Sequence, residues 1–341
     1  MHMKIYVKTF GCTLNKRDSE NINGVLAKAG FSLVDESEAD VVIVNSCGVK
    51  SKTQNKVVSY INSLDKDVYV GGCLPRMLDL KKLTPKVKGY FDTNSILKIV
   101  EQIKESVFEN FCDEKESRIG KPIVRTDKDV MIIPISSGCL GKCNYCSVRF
   151  ARGSLKSYSV KDIVKEVEDN EFKTLYLTSQ DCGCYGLDIG TDLVSLLKEV
   201  VSVDKKFIVR VGMMNPEHVL KMLNSLVALY KNEKVMKFIH IPVQSGSDKV
   251  LKEMGRRYSV EDFKKIVTKF REIEGISIST DIIVGYPTES LQDFEETKEL
   301  LAWLKPEVLN VSRFGSRPGT EARKLKPLAS QEVKRRSKEL N

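Results

Sequence analysis

Strand-like and helix-like stretches alternate along almost the whole chain of 341 residues. Short runs of β-branched residues, such as residues 41–44, are followed by stretches in which apolar residues recur at helical spacing, as at Ile22, Val25, Leu26 and Ala29. Alternation of this kind predicts βαβ units, in which successive strands are parallel and helices cover the sheet. We therefore expect an α/β fold.

One polar and charged segment, residues 111–129, interrupts the alternation and contains Gly120 and Pro122. It divides the chain into an N-terminal Rossmann-like parallel-sheet domain (residues 1–110), a linker (111–129) and a second α/β domain (130–312). Six strands are predicted in the second domain, starting near residues 131, 174, 207, 237, 277 and 308. Six βα units are fewer than the eight of a closed barrel, so we expect a partial (β/α)6 barrel with its site at the carboxyl ends of the strands.

Basic residues are concentrated at the C-terminal end of the chain. The net charge is +9, and residues 313–341 contain nine Lys or Arg against three Glu. Such a basic C-terminal extension contacts phosphate groups in some proteins and is only solvated in others, so charge leaves both possibilities open. The sequence has no apolar run of membrane-spanning length and no secretory pattern at its start, so we expect a cytoplasmic protein without membrane association.

Cys139, Cys143 and Cys146 form a C-x3-C-x2-C pattern directly after the first predicted barrel strand. Three thiolates can hold three irons of a 4Fe-4S cluster and leave the fourth iron open to the amino and carboxylate groups of S-adenosylmethionine (SAM). A zinc site or a structural cluster is the alternative, but zinc sites favour paired C-x2-C spacing with a fourth Cys or His nearby. The pattern therefore favours a radical-SAM enzyme.

Cys12, Cys47 and Cys73 are far apart in the sequence, yet each follows a predicted strand of the N-terminal domain. The carboxyl ends of parallel strands meet at one edge of a sheet, so the three thiols are expected to converge and to bind a second cluster. Small buried residues at strand ends are the alternative, and for any single Cys that alternative is the commoner one.

The remaining cysteines give weaker signals. Cys112 lies in the linker, and Cys182 and Cys184 follow the second barrel strand, so all three are expected to be structural or incidental thiols. The position of Cys182 and Cys184 at the barrel mouth leaves a disulfide, a persulfide or a substrate-facing role open. His240 is expected to be a packed strand histidine.

The motifs around these cysteines resemble those of the radical-SAM methylthiotransferases, the family of MiaB, RimO and MtaB, across essentially the whole chain. The matching segments are Thr9-Phe10-Gly11-Cys12, Asn45-Ser46-Cys47, Gly71-Gly72-Cys73, Ser137-Gly138-Cys139, Ile241-Pro242-Val243-Gln244-Ser245-Gly246-Ser247, Thr280-Asp281-Ile282-Ile283-Val284-Gly285-Tyr286-Pro287 and Arg317-Pro318-Gly319-Thr320. Two further segments look closest to the MtaB branch: Leu177-Thr178-Ser179-Gln180-Asp181 with Tyr185-Gly186, and Gly212-Met213-Met214-Asn215-Pro216.

The resemblance implies an enzyme with two 4Fe-4S clusters that uses two SAM molecules. Its implied substrate is N6-threonylcarbamoyladenosine in the anticodon loop of tRNA, to which a methylthio group is added at C2 of the base, and its implied electron donor is a flavodoxin or a ferredoxin. Isopentenyladenosine in tRNA and an aspartate of a ribosomal protein, the substrates of MiaB and RimO, are the alternatives within the family. A non-catalytic iron-sulfur protein for electron transfer or cluster delivery is the alternative outside it.

The resemblance also implies roles for single residues. The six cysteines of the two sets become catalytic cluster ligands, and the candidates for contacts with SAM are Tyr145, Gln180, Gln244, Ser245 and Arg257. Two departures from the family pattern stand out. Cys182 and Cys184 occupy positions where Thr and Ala are expected, and the sequence shows no C-terminal TRAM domain after the basic extension.

Overall fold

The computed structural model describes residues 3–49 and 51–340. Met1, His2, Lys50 and Asn341, which belong to the predicted N-terminal domain and C-terminal extension, lie outside the described residues. Packing divides the chain into two compact units: unit 1 is Met1–Cys139 with Ser147–Phe172, and unit 2 is Leu140–Cys146 with Lys173–Asn341. The domain boundaries at residues 110, 129 and 312 were drawn from sequence pattern and not from packing, so they stay predictions.

Unit 1 is an α/β unit in which most strands belong to one sheet. Its elements are β1 (Lys4–Thr9), α1 (Thr13–Lys28), β2 (Ser32–Leu33), β3 (Val41–Ser46), α2 (Ser51–Ser63), β4 (Asp67–Gly72), β5 (Gly89–Phe91), α3 (Ile99–Lys104), β6 (Glu109–Asn110), β7 (Val130–Pro134), β8 (Ser136–Ser137), α4 (Val148–Arg152), β9 (Lys156–Ser157) and α5 (Val160–Glu168).

The main sheet of unit 1 has six parallel strands in the order β2-β1-β3-β4-β5-β6. Both of its faces are covered, because alternate residues of β3 enter different apolar cores. Val41 and Ile43 pack in one cluster, and Val42 and Val44 pack in another. A parallel sheet buried on both faces is the Rossmann-like arrangement that the alternation predicts.

The predicted linker contains no helix or strand in the structure, yet it packs closely on α1. The backbone N–H of Val124 donates to the carbonyl of Glu20 at 3.0 Å. A Cβ added to Gly24 would lie 2.2 Å from the carbonyl oxygen of Pro122, so only glycine fits at this crossing. The segment is therefore held against the N-terminal sheet domain.

Unit 2 consists of parallel strands that alternate with helices. Its elements are β10 (Thr174–Thr178), α6 (Leu193–Ser202), β11 (Ile208–Val211), α7 (Pro216–Lys221), α8 (Leu223–Tyr230), β12 (Phe238–His240), α9 (Asp248–Glu253), α10 (Val260–Arg271), β13 (Ser277–Val284), α11 (Leu291–Leu304), β14 (Val308–Arg313) and α12 (Ser330–Glu339). β10 pairs in parallel with β11, and β13 pairs in parallel with both β12 and β14.

Each of the six strands predicted for the second domain is present, as β7 and β10 to β14. β12 is shorter than the predicted residues 237–242, because Pro242 has no N–H to donate to a neighbouring strand. The helix predicted through Val219 and Leu226 is two helices. The N–H of Met222 donates to the carbonyl of Val219, three residues back, which tightens the turn between them.

The observed architecture confirms the predicted fold class, a mixed α/β chain built on parallel sheets. Among the described residues, no helix combines the length and the apolar character needed to cross a membrane.

Candidate active site

Cys12, Cys47 and Cys73 follow three strands that are adjacent in the main sheet of unit 1. The register pairs Asn45 of β3 with Thr9 of β1 on one side and with Gly71 of β4 on the other. Each cysteine comes two or three residues after its paired residue, so the three side chains belong to one carboxyl edge. Cys47 and Cys73 are buried and Cys12 is exposed, which leaves one side of the group open.

Glycines allow the turns that carry these thiols to approach each other closely. Gly11 has φ +121° and Gly72 has φ +89°, both in the region that side chains avoid. An added Cβ on Gly11 would lie 2.7 Å from Cβ of Cys47, and one on Gly72 would lie 2.5 Å from Oδ1 of Asn45. The glycines of the Gly-Cys pairs are thus required by space as well as by backbone conformation.

Asn15, in the first turn of α1, connects the strand ends. Its side-chain amide donates to the carbonyls of Phe10 and Ser46, each at 3.0 Å. Its Oδ1 accepts a hydrogen bond from the Cys12 thiol at 3.5 Å. The helix start is therefore fixed to both β1 and β3 at the point where the thiols lie.

The three thiols influence each other electrostatically. Burial is the main reason that the pKa of Cys47 is raised to about 11, and the neighbouring Cys73 and Cys12 contribute to the rise. Burial also raises the pKa of Cys73, against the charge of Arg152, which lowers it. Three converging thiols whose anions repel one another form a donor set that a cation or an iron-sulfur cluster would stabilise. The residues present fit such a group.

A buried charged network lies next to this set within unit 1. The carboxylate of Asp18 accepts hydrogen bonds from Nε of Arg118 at 2.6 Å and from Nη2 of Arg152 at 2.7 Å. Arg152 also donates to Oδ1 of Asn15 at 3.0 Å. The three charged side chains are 2% exposed or less. Sequence reasoning missed all three, because the partners lie 100 and 134 positions apart in the sequence.

The C-x3-C-x2-C loop lies directly after β7 and β8. In unit 1, the N–H of Cys139 donates to the carbonyl of Gly153 at 3.2 Å, and Gly138 has φ +87°. In unit 2, the N–H of Cys146 donates to the carbonyl of Cys143 at 3.1 Å, which closes a turn. All three cysteines are half-buried.

Arg256 is the residue of unit 2 that contacts a thiol of this loop. Its Nη1 lies 3.1 Å from Sγ of Cys143, its Nη2 donates to Oδ1 of Asn215 at 3.1 Å, and its Nε donates to the hydroxyl of Tyr258 at 2.9 Å. Sequence reasoning named the next residue, Arg257, whose side chain is 69% exposed and pairs with Glu217 at 3.7 Å. A lone sequence does not distinguish the two neighbouring arginines.

The other SAM candidates lie at different depths in unit 2. Tyr145 packs against the apolar cluster that contains Met254 and Tyr286, and burial raises its pKa well above the usual value. Gln244 is buried with φ +76°, a strained conformation that side chains adopt mainly at functional positions. Ser245 is buried and its hydroxyl accepts from the N–H of Ser247 at 3.2 Å, whereas Gln180 is half-buried after β10.

A second buried group of possible metal ligands lies after β10. Asp181, Cys184 and His218 each place one ligand atom within 4.8 Å of the others. The Asp181 carboxylate also accepts from the N–H of Gly183 at 2.9 Å and of Asn215 at 3.0 Å, which ties it to the loops. Cys182 and Cys184 are fully buried. In β12, Nε2 of His240 lies 3.1 Å from Oδ1 of Asp281.

The sequence matches two protein families. Residues 133–301 match the Radical SAM superfamily. Residues 4–92 match a family described as "Uncharacterized protein family UPF0004". The first match contains the C-x3-C-x2-C loop, and the second contains Cys12, Cys47 and Cys73.

Solved structures support the fold. A radical SAM methyltransferase, TsrM from Kitasatospora setae, is similar with a TM-score of 0.65 and 13% identity, over 94% of this chain and 77% of that one. The cobalamin-dependent SAM radical enzyme OxsB is similar with a TM-score of 0.61 and 14% identity, over 99% of this chain and 56% of that one. At such low identity the likeness concerns the fold alone.

Curated relatives match over nearly the whole chain. A protein of Pyrococcus abyssi named "Probable threonylcarbamoyladenosine tRNA methylthiotransferase" is 41% identical over 99% of this chain and 83% of its own length. A Methanocaldococcus jannaschii protein of the same name is 40% identical over 100% of this chain and 82% of its own length. The Drosophila melanogaster "Threonylcarbamoyladenosine tRNA methylthiotransferase" is 37% identical over 99% and 64%. The chain therefore belongs to the radical-SAM methylthiotransferase family.

Proposed function

We propose that this enzyme converts N6-threonylcarbamoyladenosine next to the anticodon of tRNA to its 2-methylthio derivative. The observation that carries the proposal is the 41% identity, over 99% of the chain, to a relative named for that substrate. Both cysteine sets of the proposed chemistry fall within the matched length. The alternative substrates, isopentenyladenosine in tRNA and a ribosomal protein, do not appear in the names of these relatives.

We assign one 4Fe-4S cluster, with SAM, to Cys139, Cys143 and Cys146, and a second, auxiliary cluster to Cys12, Cys47 and Cys73. When bound, these groups supply the radical chemistry and the sulfur needed to replace an unactivated C–H of adenine, which side chains alone do not supply. The convergence and mutual repulsion of the second set support its assignment.

The protein's own residues hold the proposed thiolates in place. Arg256 donates to Cys143 and stacks over the ring of Tyr258 at 5.0 Å, so its guanidinium is fixed in orientation. A guanidinium held in this way would stabilise the negative charge of a metal-bound thiolate. Tyr145, Gln180, Gln244, Ser245 and Arg257 remain the proposed contacts of SAM.

For tRNA binding we propose the exposed cations of the C-terminal stretch. Several cations there are already paired: Arg335 donates to Glu332 and Glu339, and the buried Arg336 donates to Glu289. Lys326 and Lys334 are exposed and available to phosphates. An anticodon loop with unstacked bases is the form of RNA that proteins usually read.

We further propose a cytoplasmic enzyme that takes its electrons from a flavodoxin or a ferredoxin. The domain division at residues 1–110, 111–129, 130–312 and 313–341 belongs to the same proposal.

The test is incubation of the reconstituted enzyme with SAM, dithionite and tRNA, followed by mass spectrometry of the nucleosides. We expect the 2-methylthio nucleoside from tRNA that carries threonylcarbamoyladenosine. Matched tRNA that carries isopentenyladenosine should remain unchanged. Product from the second tRNA alone would overturn the substrate assignment. A reduced enzyme that forms no 5'-deoxyadenosine from SAM would instead support the non-catalytic iron-sulfur protein.

A further inference from the structure

Arg152, the last residue of α4, places a buried guanidinium among the groups at the auxiliary cysteine set. Its side chain is 2% exposed. Nη2 donates to Asp18 and Asn15, whereas the buried Nη1 has no hydrogen-bond partner among the described residues. Burying a charged group with unused donors is costly unless another partner is present. Oδ1 of Asn15, which accepts from Arg152 at 3.0 Å, also accepts from the Cys12 thiol at 3.5 Å, so the guanidinium lies beside the cysteine set.

The charge of Arg152 acts on the thiols of Cys73 and Cys47. It lowers the pKa of Cys73 through its charge and through a side-chain hydrogen bond, against burial, which raises that pKa. It also lowers the pKa of Cys47, against the effect of burial, which raises that pKa. In return, Asp18 and the thiols of Cys73 and Cys12 outweigh the effect of burial on Arg152 and raise its pKa.

Two guanidiniums share one carboxylate in this network. Arg118 and Arg152 both pair with Asp18, so one positive charge is in excess beside the thiols. Arg118 donates to Asp18, Thr93 and Tyr158 rather than to a thiol. The excess charge is therefore directed at the cysteines by Arg152.

We propose that Arg152 is the counter-charge of the auxiliary cluster, held by Asp18 and Asn15 beside the three cysteines so that it stabilises the reduced cluster and sets its reduction potential. An iron-sulfur cluster on thiolates becomes more negative when it gains an electron, and nearby charge and hydrogen bonds to sulfur tune its potential. Arg152 is a positioning residue, because it acts through the thiolates. The inference rests on the proposed assignment of Cys12, Cys47 and Cys73 to a cluster.

The experiment uses the full chain with Cys139, Cys143 and Cys146 replaced by Ala, so that only the auxiliary cluster is reconstituted. The cluster is titrated with dithionite and mediators and followed by electron paramagnetic resonance, and iron content is measured for every variant. For Arg152→Met we expect at least a tenfold lower ratio of reduced to oxidised cluster at a fixed potential, which corresponds to a shift of about 59 mV to more negative values.

Asp18→Asn is the decisive partner variant, because it removes a negative charge from the same network. We expect its potential to shift in the opposite direction, to more positive values. Arg152→Lys keeps the charge and should lie nearer to the parent than Arg152→Met. Arg118→Met removes a guanidinium from the same carboxylate and should give a smaller negative shift.

Unchanged potentials, or shifts of the same sign in Arg152→Met and Asp18→Asn, would overturn the proposal, since a merely structural role has no reason to reverse sign. If Arg152→Met does not fold or bind iron, the sign of the Asp18→Asn shift and the position of Arg152→Lys decide. A parent chain that binds no iron would instead contradict the cluster assignment on which the inference rests.

Discussion

Nη1 of Arg256 lies 3.1 Å from Sγ of Cys143, whereas the guanidinium of the next residue, Arg257, lies 3.7 Å from Glu217. The two arginines form a matched pair for experiment. Arg256 contacts a proposed cluster ligand, whereas the largely exposed side chain of Arg257 contacts a carboxylate.

We expect Arg256→Met to lower the rate of SAM cleavage by about tenfold or more, because a hydrogen bond to a charged group contributes about 1.5–3 kcal/mol. Arg257→Met removes a proposed contact of SAM but no hydrogen bond to a cluster ligand, so at saturating SAM it should lower the rate of SAM cleavage much less. The measurement is 5'-deoxyadenosine formed per cluster, with iron content determined for each variant. Equal losses in both variants would contradict a specific role for Arg256.

The two cysteine sets should be separable. Replacing Cys12, Cys47 and Cys73 together by Ala should remove about half of the iron while SAM cleavage continues and methylthio transfer stops, because the set of Cys139 to Cys146 remains. Cys112→Ala, which changes a thiol of the linker, is the control and should keep all the iron. Iron content that does not change in the triple variant would contradict the assignment of a second cluster.

The glycine before Cys73 should not tolerate a side chain. In Gly72→Ala the new Cβ meets Asn45 and Ser46 at 2.5 Å, and the backbone has φ +89°. We expect a loss of about 2 kcal/mol or more in the free energy of unfolding, from backbone strain of about 1–2 kcal/mol and overpacking of about 1–3 kcal/mol.

Gly30→Ala is the control for that variant, because Gly30 has a similar φ of +87° but open space where its Cβ would lie. Its free energy of unfolding should fall only by the cost of backbone strain, about 1–2 kcal/mol. Denaturant unfolding and iron uptake measure the two effects. Similar losses in both variants would show that the close approach at Gly72 is unimportant.

The acid stability of unit 2 should depend on Asp293 at the start of α11. Burial would raise its pKa, but hydrogen bonds from Lys249, Ser290 and Ser247 outweigh burial and hold the pKa well below its usual range. A lowered pKa stabilises the fold above the unfolded value of about 3.9, and the stabilisation disappears as the pH falls below that value. Asp293→Asn should therefore cost about 1–3 kcal/mol at neutral pH and progressively less in acid.

Glu295→Gln on the same helix is the control, because the Lys298 pair that it removes is exposed. It should change the free energy of unfolding by less than about 1 kcal/mol. Urea unfolding at a series of pH values gives both curves. A pH-independent loss in Asp293→Asn would contradict the role of the ionised carboxylate.

Local patterns predicted the parallel sheets and the convergence of Cys12, Cys47 and Cys73, because both follow from the position of each residue relative to its own strand. The same reasoning failed for Asp18, Arg118 and Arg152. Their partnership depends on how distant segments pack, and a buried arginine has the same appearance in a sequence as an exposed one. The charged face of α1 gave no sign that it would be buried.

The neighbouring arginines illustrate a second limit. Motif reasoning chose Arg257, whereas the structure places its neighbour Arg256 against Cys143, since the direction of a side chain in a turn depends on backbone angles that sequence spacing does not give. Similarly, the break between α7 and α8 depends on one hydrogen bond at Met222 that replaces the usual helical one.

The charge network of Asp18 has a consequence for dissecting the protein. A fragment of residues 1–110 would encode all three thiols of the auxiliary set, yet Arg118 and Arg152, the two cations that neutralise Asp18, both come later in the chain. Such a fragment would have to bury an unpaired carboxylate at the edge that carries the three thiols. The N-terminal third of this enzyme is therefore not an independent folding module, since the chain beyond it supplies the positive charges that its buried carboxylate requires.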